Sequence, residues 1–392
     1  MRSAFIALLL IAITLAHAQA CPPAFSGSAR YAIGDQVQAN GNLYRAIKAV
    51  SNGNNPSSDY TDWELNLVRS NTTLTIGAGQ TFPTLTSAWN YALNAKVADG
   101  AYLHFYISSQ NGNYSQQLTA PLLLDHASGA RIAILGDNPA NDTLSFTANG
   151  IIVDTGHSLN TISGLGIYGS NNGSDGIKVD DEASIALLAN TKLTLFGNAV
   201  HVLQGGSVTI NSDVTFPFIE TYCGLAETGG SIVARSGLTI SGGSTTGSQT
   251  GFGAVHGGIV SAENCTFTKI AAAADAYQGG VIDLLGSMIN QVPSGILCRG
   301  GVIDCRTATF FGCTNGAITA DFQGFVDAGQ CIFNDNSVSI TAIAHGFVNC
   351  MQASFANDGT DISVQENSVV DAVGANETIT VVDNGTGSFL LS

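Results

Sequence analysis

The sequence predicts an all-β chain. Its main body is a single-stranded parallel β-helix with an N-terminal capping helix, preceded by a small three-stranded β module. Three observations predict this. Segments recur about every 22 residues along the C-terminal part of the chain. Glycine is 46 of 392 residues, where ordinary usage is roughly 7%. Charged residues are 11% and hydrophobics 45%. High hydrophobicity with few charges excludes disorder. A helical repeat array would need far more Glu, Lys and Leu. Frequent Gly among Thr, Ser, Asn, Val and Ile points to many strands and tight turns.

Residues 1–20 read as a secretory signal. Arg2 gives a positive start, Ala4 to Ala16 is apolar apart from Thr14, and Ala16-His17-Ala18 and Ala18-Gln19-Ala20 are both small-x-small. The expected location is secreted, extracellular or at the cell surface, with a lipid anchor on Cys21 as the alternative. No later segment reaches the ~18 apolar residues of a membrane span. The balance is acidic, 29 Asp and Glu against 13 Lys and Arg, with no basic run. Nucleic acid is therefore not an expected partner, because phosphate binding needs clustered cations. An anionic membrane surface or a strongly anionic polysaccharide fits poorly for the same reason. Neutral or amino sugars fit better.

Residues 21–68 form a small aromatic-rich module. Residues 69–118 are a lead-in of linker, helix and first strand. Leu85, Ala88, Trp89, Ala92 and Leu93 fall at helical spacing, with Pro83-Thr84 at the start and Asp99-Gly100 beyond the end. Such a helix would cover the exposed strand edges and core of the first coil. The alternation in Ala101–Ile107 then reads as the first strand.

Residues 119–392 repeat. Ser261, Asp283, Asp304, Asp327 and Asn349 are 22, 21, 23 and 22 residues apart. Six residues after each stands Phe267, Ile289, Phe310, Phe333 or Phe355, and Ala234 with Ile240 extends the register upstream. Gly257-Gly258-Ile259-Val260, Gly279-Gly280-Val281-Ile282 and Gly300-Gly301-Val302-Ile303 repeat one turn and strand. Looser coils start at Ile151, Gly176 and Val200. This period is too short for paired helices and fits coils stacked about 4.8 Å apart. Ten to twelve coils would span roughly 50 Å. The polar stretch Ser241–Gly251 reads as a protruding insertion.

The register also bears on the eight cysteines. Cys305 and Cys350 share one column two coils apart, roughly 10 Å. Cys265 and Cys331 share another, three coils apart. Disulfides need Cα atoms within about 7 Å, so these thiols read as small core residues. Cys223, Cys298 and Cys313 could pair. No C-x-x-C spacing suggests a zinc cluster.

Two polar columns could carry chemistry. Asp283, Asp304 and Asp327 stand on successive coils about 5 Å apart. They read as a solvated ladder bonding turn amides, as the paired carboxylates of a glycosidase, or as a Ca²⁺ site, since a row of carboxylates repels without a cation. No other cofactor is expected. The second column, Gln204, Thr228, His256, Gln278, Arg299, Gln323 and His345, precedes each Gly turn. It reads as a solvent-facing corner or as a glycan-binding ridge.

Two stretches resemble known families. Tyr31, Gly34-Asp35, Val37, Gly41, Tyr44-Arg45-Ala46, Pro56 and Trp63 resemble the chitin-binding type 3 fold, carbohydrate-binding module family 5/12. Where chitin-binding members carry paired aromatics, Ile47, Lys48, Ala49 and Val50 stand here. Tyr31, Tyr44, Tyr60 and Trp63 are the remaining aromatics and read either as sugar contacts or as core. Gly79–Leu85, Ala98–Ala101 and Arg131–Gly136 are similar to the right-handed pectate-lyase-type β-helices of phage tail fibres and tailspikes. That resemblance implies a right-handed helix and a homotrimer. It makes the Asp column the site of any hydrolase. A lyase would need Ca²⁺ or a basic cluster, and Arg131, Lys178, Lys192, Arg235, Lys269, Arg299 and Arg306 are scattered. The expected function is a fibre-like adhesin binding a surface or structural polysaccharide. The alternatives are a glycoside hydrolase or lyase, and a purely structural surface protein.

Overall fold

A computed structural model describes residues 22–51, 53–110, 112–170, 173–242, 249–375, 379–383 and 388–390. The secretory-signal reading, Cys21 and most of the Ser241–Gly251 insertion lie outside the described residues. The chain divides into two compact units. One takes the chain up to Thr72 with Trp89–Tyr102, and the other takes Thr73–Ala88 with Leu103 onward.

In the first unit, Gln36–Ala39, Asn42–Ala46 and Trp63–Val68 form an antiparallel sheet. Asn40 and Gly41 turn the first hairpin, both left-handed (φ 47° and 82°). A right-handed strand twist favours such a turn, and Asn-Gly tolerates it. A fourth strand, Lys96–Val97, pairs parallel to Trp63–Val68. The predicted three-stranded module thus gains a strand from the lead-in. Arg30–Tyr31 pairs separately with Val50–Ser51. Trp63 is fully buried. Tyr31 and Phe25 meet its indole edge-on, with centroids at 5.1 and 5.9 Å.

The second unit is a parallel β-helix of about ten turns. One face is a stack of 14 strands running from Thr72–Ile76 to Ser388–Leu390. Another is a stack of 12 strands, from Leu122–Leu123 to Val381–Asp383. The intermediate face holds separate stacks of four and six. One coil is Ile259–Ser261, Thr266–Thr268 and Ala272–Tyr277. Its neighbours repeat it in register, so like residues stack. Val260, Ile282, Ile303, Val326 and Val348 form one buried ladder. Phe310, Phe333 and Phe355 form another, with rings parallel at 5.2 and 5.0 Å.

Helix α1 spans Leu85–Ala92. Thr84 caps it, its Oγ1 accepting the Ser87 N–H at 3.1 Å. Leu85, Ala88, Trp89 and Ala92 are buried, whereas Leu93 lies past the helix end and is exposed. The first strand of the 14-strand face is not the expected Ala101–Ile107. Leu103–Ile107 is second, and Thr72–Ile76 lies beyond it. Upstream, Val233 rather than Ala234 aligns with Ser261, because that coil's turn is one residue longer. Ile240 does pair with Phe267. The far end of the predicted insertion is strand: Thr250–Val255 joins the 12-strand face.

The seven described cysteines, including Cys223, Cys298 and Cys313, are buried and free. Burial pushes the Cys223, Cys313 and Cys350 thiols up to about 12. Among the described residues, no helix is long and apolar enough to cross a membrane.

Candidate functional site

The Asp column is one straight ladder. Ser261, Asp283, Asp304, Asp327 and Asn349 are register partners on successive strands, and Asp371 continues them. From Asp283 to Asp371 each member closes its strand with the same local bond. Asp283 Oδ1 accepts the Leu285 N–H (2.9 Å), and Asp304 Oδ1 that of Arg306 (3.1 Å). Asp327 Oδ1 accepts the Gly329 N–H, Asn349 Oδ1 that of Met351 and Asp371 Oδ1 that of Val373, each at 3.2 Å. These are Asx turns, in which a short side chain replaces a backbone acceptor two residues back. Arg306 clamps Asp304 through Nε and Nη2 (2.9 and 2.6 Å) and approaches Asp327 Oδ2 at 3.7 Å. Asn349 Nδ2 donates to Asp327 Oδ1 at 3.0 Å. A recess of about 480 Å³ lies over Arg306, Asp327, Asn349 and Met351.

An apolar ladder runs beside it on the same outer surface. Ile259, Val281, Val302, Phe325, Phe347 and Val369 are register partners. The first four are 38–49% exposed. The Phe325 and Phe347 rings stack at 5.3 Å.

The second polar column separates into three positions. Gln204, Thr228, His256 and Gln278 are the first left-handed residue of their turns, with φ between 46° and 51°. Gln323 and His345 are the second, behind Phe322 and Ala344 (φ 47° each). Arg299 belongs to neither. It ends the strand Ser294–Arg299 and pairs in register with Asp321. Only Gly300 is left-handed in the turn that follows, so that turn is one residue shorter. Spacing to the Gly turn alone does not distinguish the three positions.

Sequence reasoning missed a cluster on the outer side of the 12-strand face. Tyr222 reaches along the stack to Asp275, two rungs on, with its hydroxyl 3.3 Å from Oδ2. The intervening rung holds Gly253, where a Cβ would lie 2.7 Å from the Tyr222 ring. Burial first, then the Asp275 charge, pushes the Tyr222 phenol up to about 12. Asp275 is 5% exposed. It pairs with Arg299 through Nη2 and Nε. The guanidinium lies over the Tyr277 ring, 5.4 Å from its centroid. Burial works against the Arg299 charge, but Asp275 outweighs it and holds the group above its ordinary value. A recess of about 410 Å³ opens between Tyr277, Gln278, Arg299, Gly300 and Phe322.

Beside it runs a chain of titratable groups. His201 Nδ1 meets Asp175 Oδ2 at 2.9 Å and its Nε2 meets Glu227 Oε2 at 3.2 Å. His256 Nδ1 reaches Glu227 Oε1 at 3.4 Å. Burial disfavours the His201 cation, but the two carboxylates outweigh it and raise its pKa. Among the described residues, no three His, Cys, Asp or Glu side chains converge to hold a metal.

In the N-terminal unit, Tyr31, Tyr44 and Trp63 are 9%, 3% and 0% exposed. Their faces pack into the module's core, so a sugar could not stack on them. Tyr60 is half-buried.

No protein-family model matches the chain, and no curated protein matches it. A solved structure, ORF18 of Geobacillus virus E2, aligns over 92% of this chain and 70% of its own, with 11% identity and a TM-score of 0.32. That likeness is too distant to bear on fold or function.

Proposed function

We propose that the chain is a secreted, fibre-like carbohydrate-binding or adhesion protein that recognises a surface or structural polysaccharide. The Asx ladder carries this reading. Asp283, Asp304 and Asp327 each hold a turn amide, and Asp304 also holds Arg306. A glycosidase acid or nucleophile needs an oxygen free to reach the scissile bond. Asp304 has both oxygens engaged, and Asp283 and Asp327 each spend one on closing a strand, which fits a structural ladder better than a catalytic pair. The exposed apolar ladder from Ile259 to Phe325 supports glycan contact, since sugar rings present C–H faces to such stripes. The chitin-binding-type resemblance supports the same class of ligand, although three of its four aromatics face inward. A homotrimer belongs to the proposal, because repeated weak sites gain affinity by avidity.

The test incubates purified protein with chitin, pectin and bacterial surface glycans, with and without Ca²⁺. Pull-down without release of reducing ends or unsaturated uronates is expected. Release of fragments would replace this reading with a depolymerase. Absence of binding to every glycan would leave a structural surface protein.

A further inference from the structure

We propose that the recess between Tyr277, Arg299 and Phe322 is a subsite for one neutral pyranose ring; the proposal rests on the glycan-binding reading above. A pyranose offers an apolar C–H face and a rim of hydroxyls. The recess offers complements to both.

Phe322 is 65% exposed and Tyr277 37%. Phe322 holds φ at 47°, a left-handed conformation that bulky residues seldom adopt. Equivalent turns place Gln204, Thr228, His256, Gln278 and Ala344 there, polar or small residues suited to a solvated corner. A phenyl held outward in a strained turn marks a contact surface rather than a fold requirement.

The polar rim is fixed in advance. Arg299 is tied through Nε and Nη2 to the buried Asp275, which also meets the Tyr222 hydroxyl. Its Nη1 takes no part in that pairing. Gln278 Nε2 donates to the Tyr277 hydroxyl at 3.0 Å, leaving its carbonyl oxygen to accept. Donors held in place before binding lose little entropy on contact.

Charge selects the class of sugar. Asp275 balances Arg299, and the whole chain carries a formal charge of −16. An acidic sugar therefore finds no uncompensated cation in the recess. The space also has a stated origin. The turn after Arg299 is one residue short and its left-handed position is Gly300, so no side chain fills the floor between Tyr277 and Phe322. At about 410 Å³ the recess lies toward the small end of ligand pockets, a fit for a single ring.

The full chain would be titrated with cellohexaose, chitohexaose, mannohexaose and hexagalacturonate by saturation-transfer NMR and calorimetry. At least one neutral hexasaccharide is expected to bind. Phe322→Ala and Tyr277→Ala should each weaken it on the order of tenfold or more, as truncated aromatic anchors do. Phe322→Tyr should retain it, and Val302→Ala on the apolar ladder should change nothing. Circular dichroism would check that the variants fold. Weakening by Val302→Ala alone would leave the glycan-binding reading standing and overturn this subsite. Binding of hexagalacturonate alone would overturn the neutral ligand. Failure of every probe to bind wild type would overturn both.

Discussion

Tyr222 and Asp275 lie 53 residues apart in sequence and meet at 3.3 Å, bridging two rungs of the stack. The bridge exists because Gly253 leaves the middle rung bare. Gly253→Val should therefore displace the Tyr222 ring. Overpacking of this kind costs roughly 1–3 kcal/mol. A denaturant titration should show an earlier midpoint than wild type, and adding Tyr222→Ala should relieve most of the difference. A wild-type midpoint for Gly253→Val would mean that the ring does not lie over residue 253.

Asp304 tests the structural reading of the carboxylate ladder. Asp304→Asn keeps an oxygen for the Arg306 amide and loses only an exposed ion pair, so its stability should stay close to that of wild type. Asp304→Ala loses the turn bond too and should cost about 1 kcal/mol more. Denaturant midpoints read both. A large loss in the Asn variant would show that the charge, not the turn, matters.

Phe333 sits between the rings of Phe310 and Phe355 and is fully buried. Phe333→Ala removes both stacking contacts and opens a cavity. The expected loss is roughly 3–5 kcal/mol, seen as a lower thermal midpoint. A loss below about 1 kcal/mol would mean that neighbouring coils close over the gap.

His201 makes stability depend on pH in a defined direction. Its folded pKa is raised, so protonation favours the fold. The contribution is fully present below the unfolded value of about 6.5 and is lost as pH rises through the folded value. Lys178, beside His201 in register, is paired with Asp180 at 2.9 Å. The thermal midpoint of wild type minus His201→Gln should shrink from pH 5.5 to pH 8.5. A difference that is constant with pH would show that the ring is not bound as a cation.

The seven described thiols are buried, and none is in a disulfide. Burial also disfavours the reactive thiolate of those with raised pKa values. In a Cys21→Ser variant at pH 8, a thiol reagent should label none of them in the folded protein and all seven after denaturation. Fast labelling in the folded state would mean that the coils open locally.

The ladders were legible because a constant step places like residues on one column. Asp283, Asp304 and Asp327 were read from spacing alone, as were the coils at Ile151, Gly176 and Val200. The errors lie where one turn gains or loses a residue. A fixed six-residue step to Ile240 puts Ala234 where Val233 stands, and a column drawn to the Gly pair puts Arg299 with Gln278, because both ignore a turn of different length. The cleft was less accessible still. Phe322 looks like any core apolar residue in sequence, and only its left-handed turn sends it outward. Tyr222 and Asp275 share no column, so no periodicity joins them. In the module, Tyr31, Tyr44 and Trp63 have the composition of a sugar platform, but a unit this small needs its large rings for its own core.

The matched register of Val281 and Val302 has an evolutionary consequence. Each strand residue of one coil has its counterpart on the next, so the segment Val281–Gly301 could be excised and Gly280 joined to Val302 without exposing an unmatched edge. Duplication of the same segment would be equally silent to the core. Length in such a lineage changes by whole coils, roughly 4.8 Å at a time, while the caps and every other column are inherited unaltered. A single-residue change in a turn, such as the shortening after Arg299, moves one side chain out of its column and gives that coil a surface of its own.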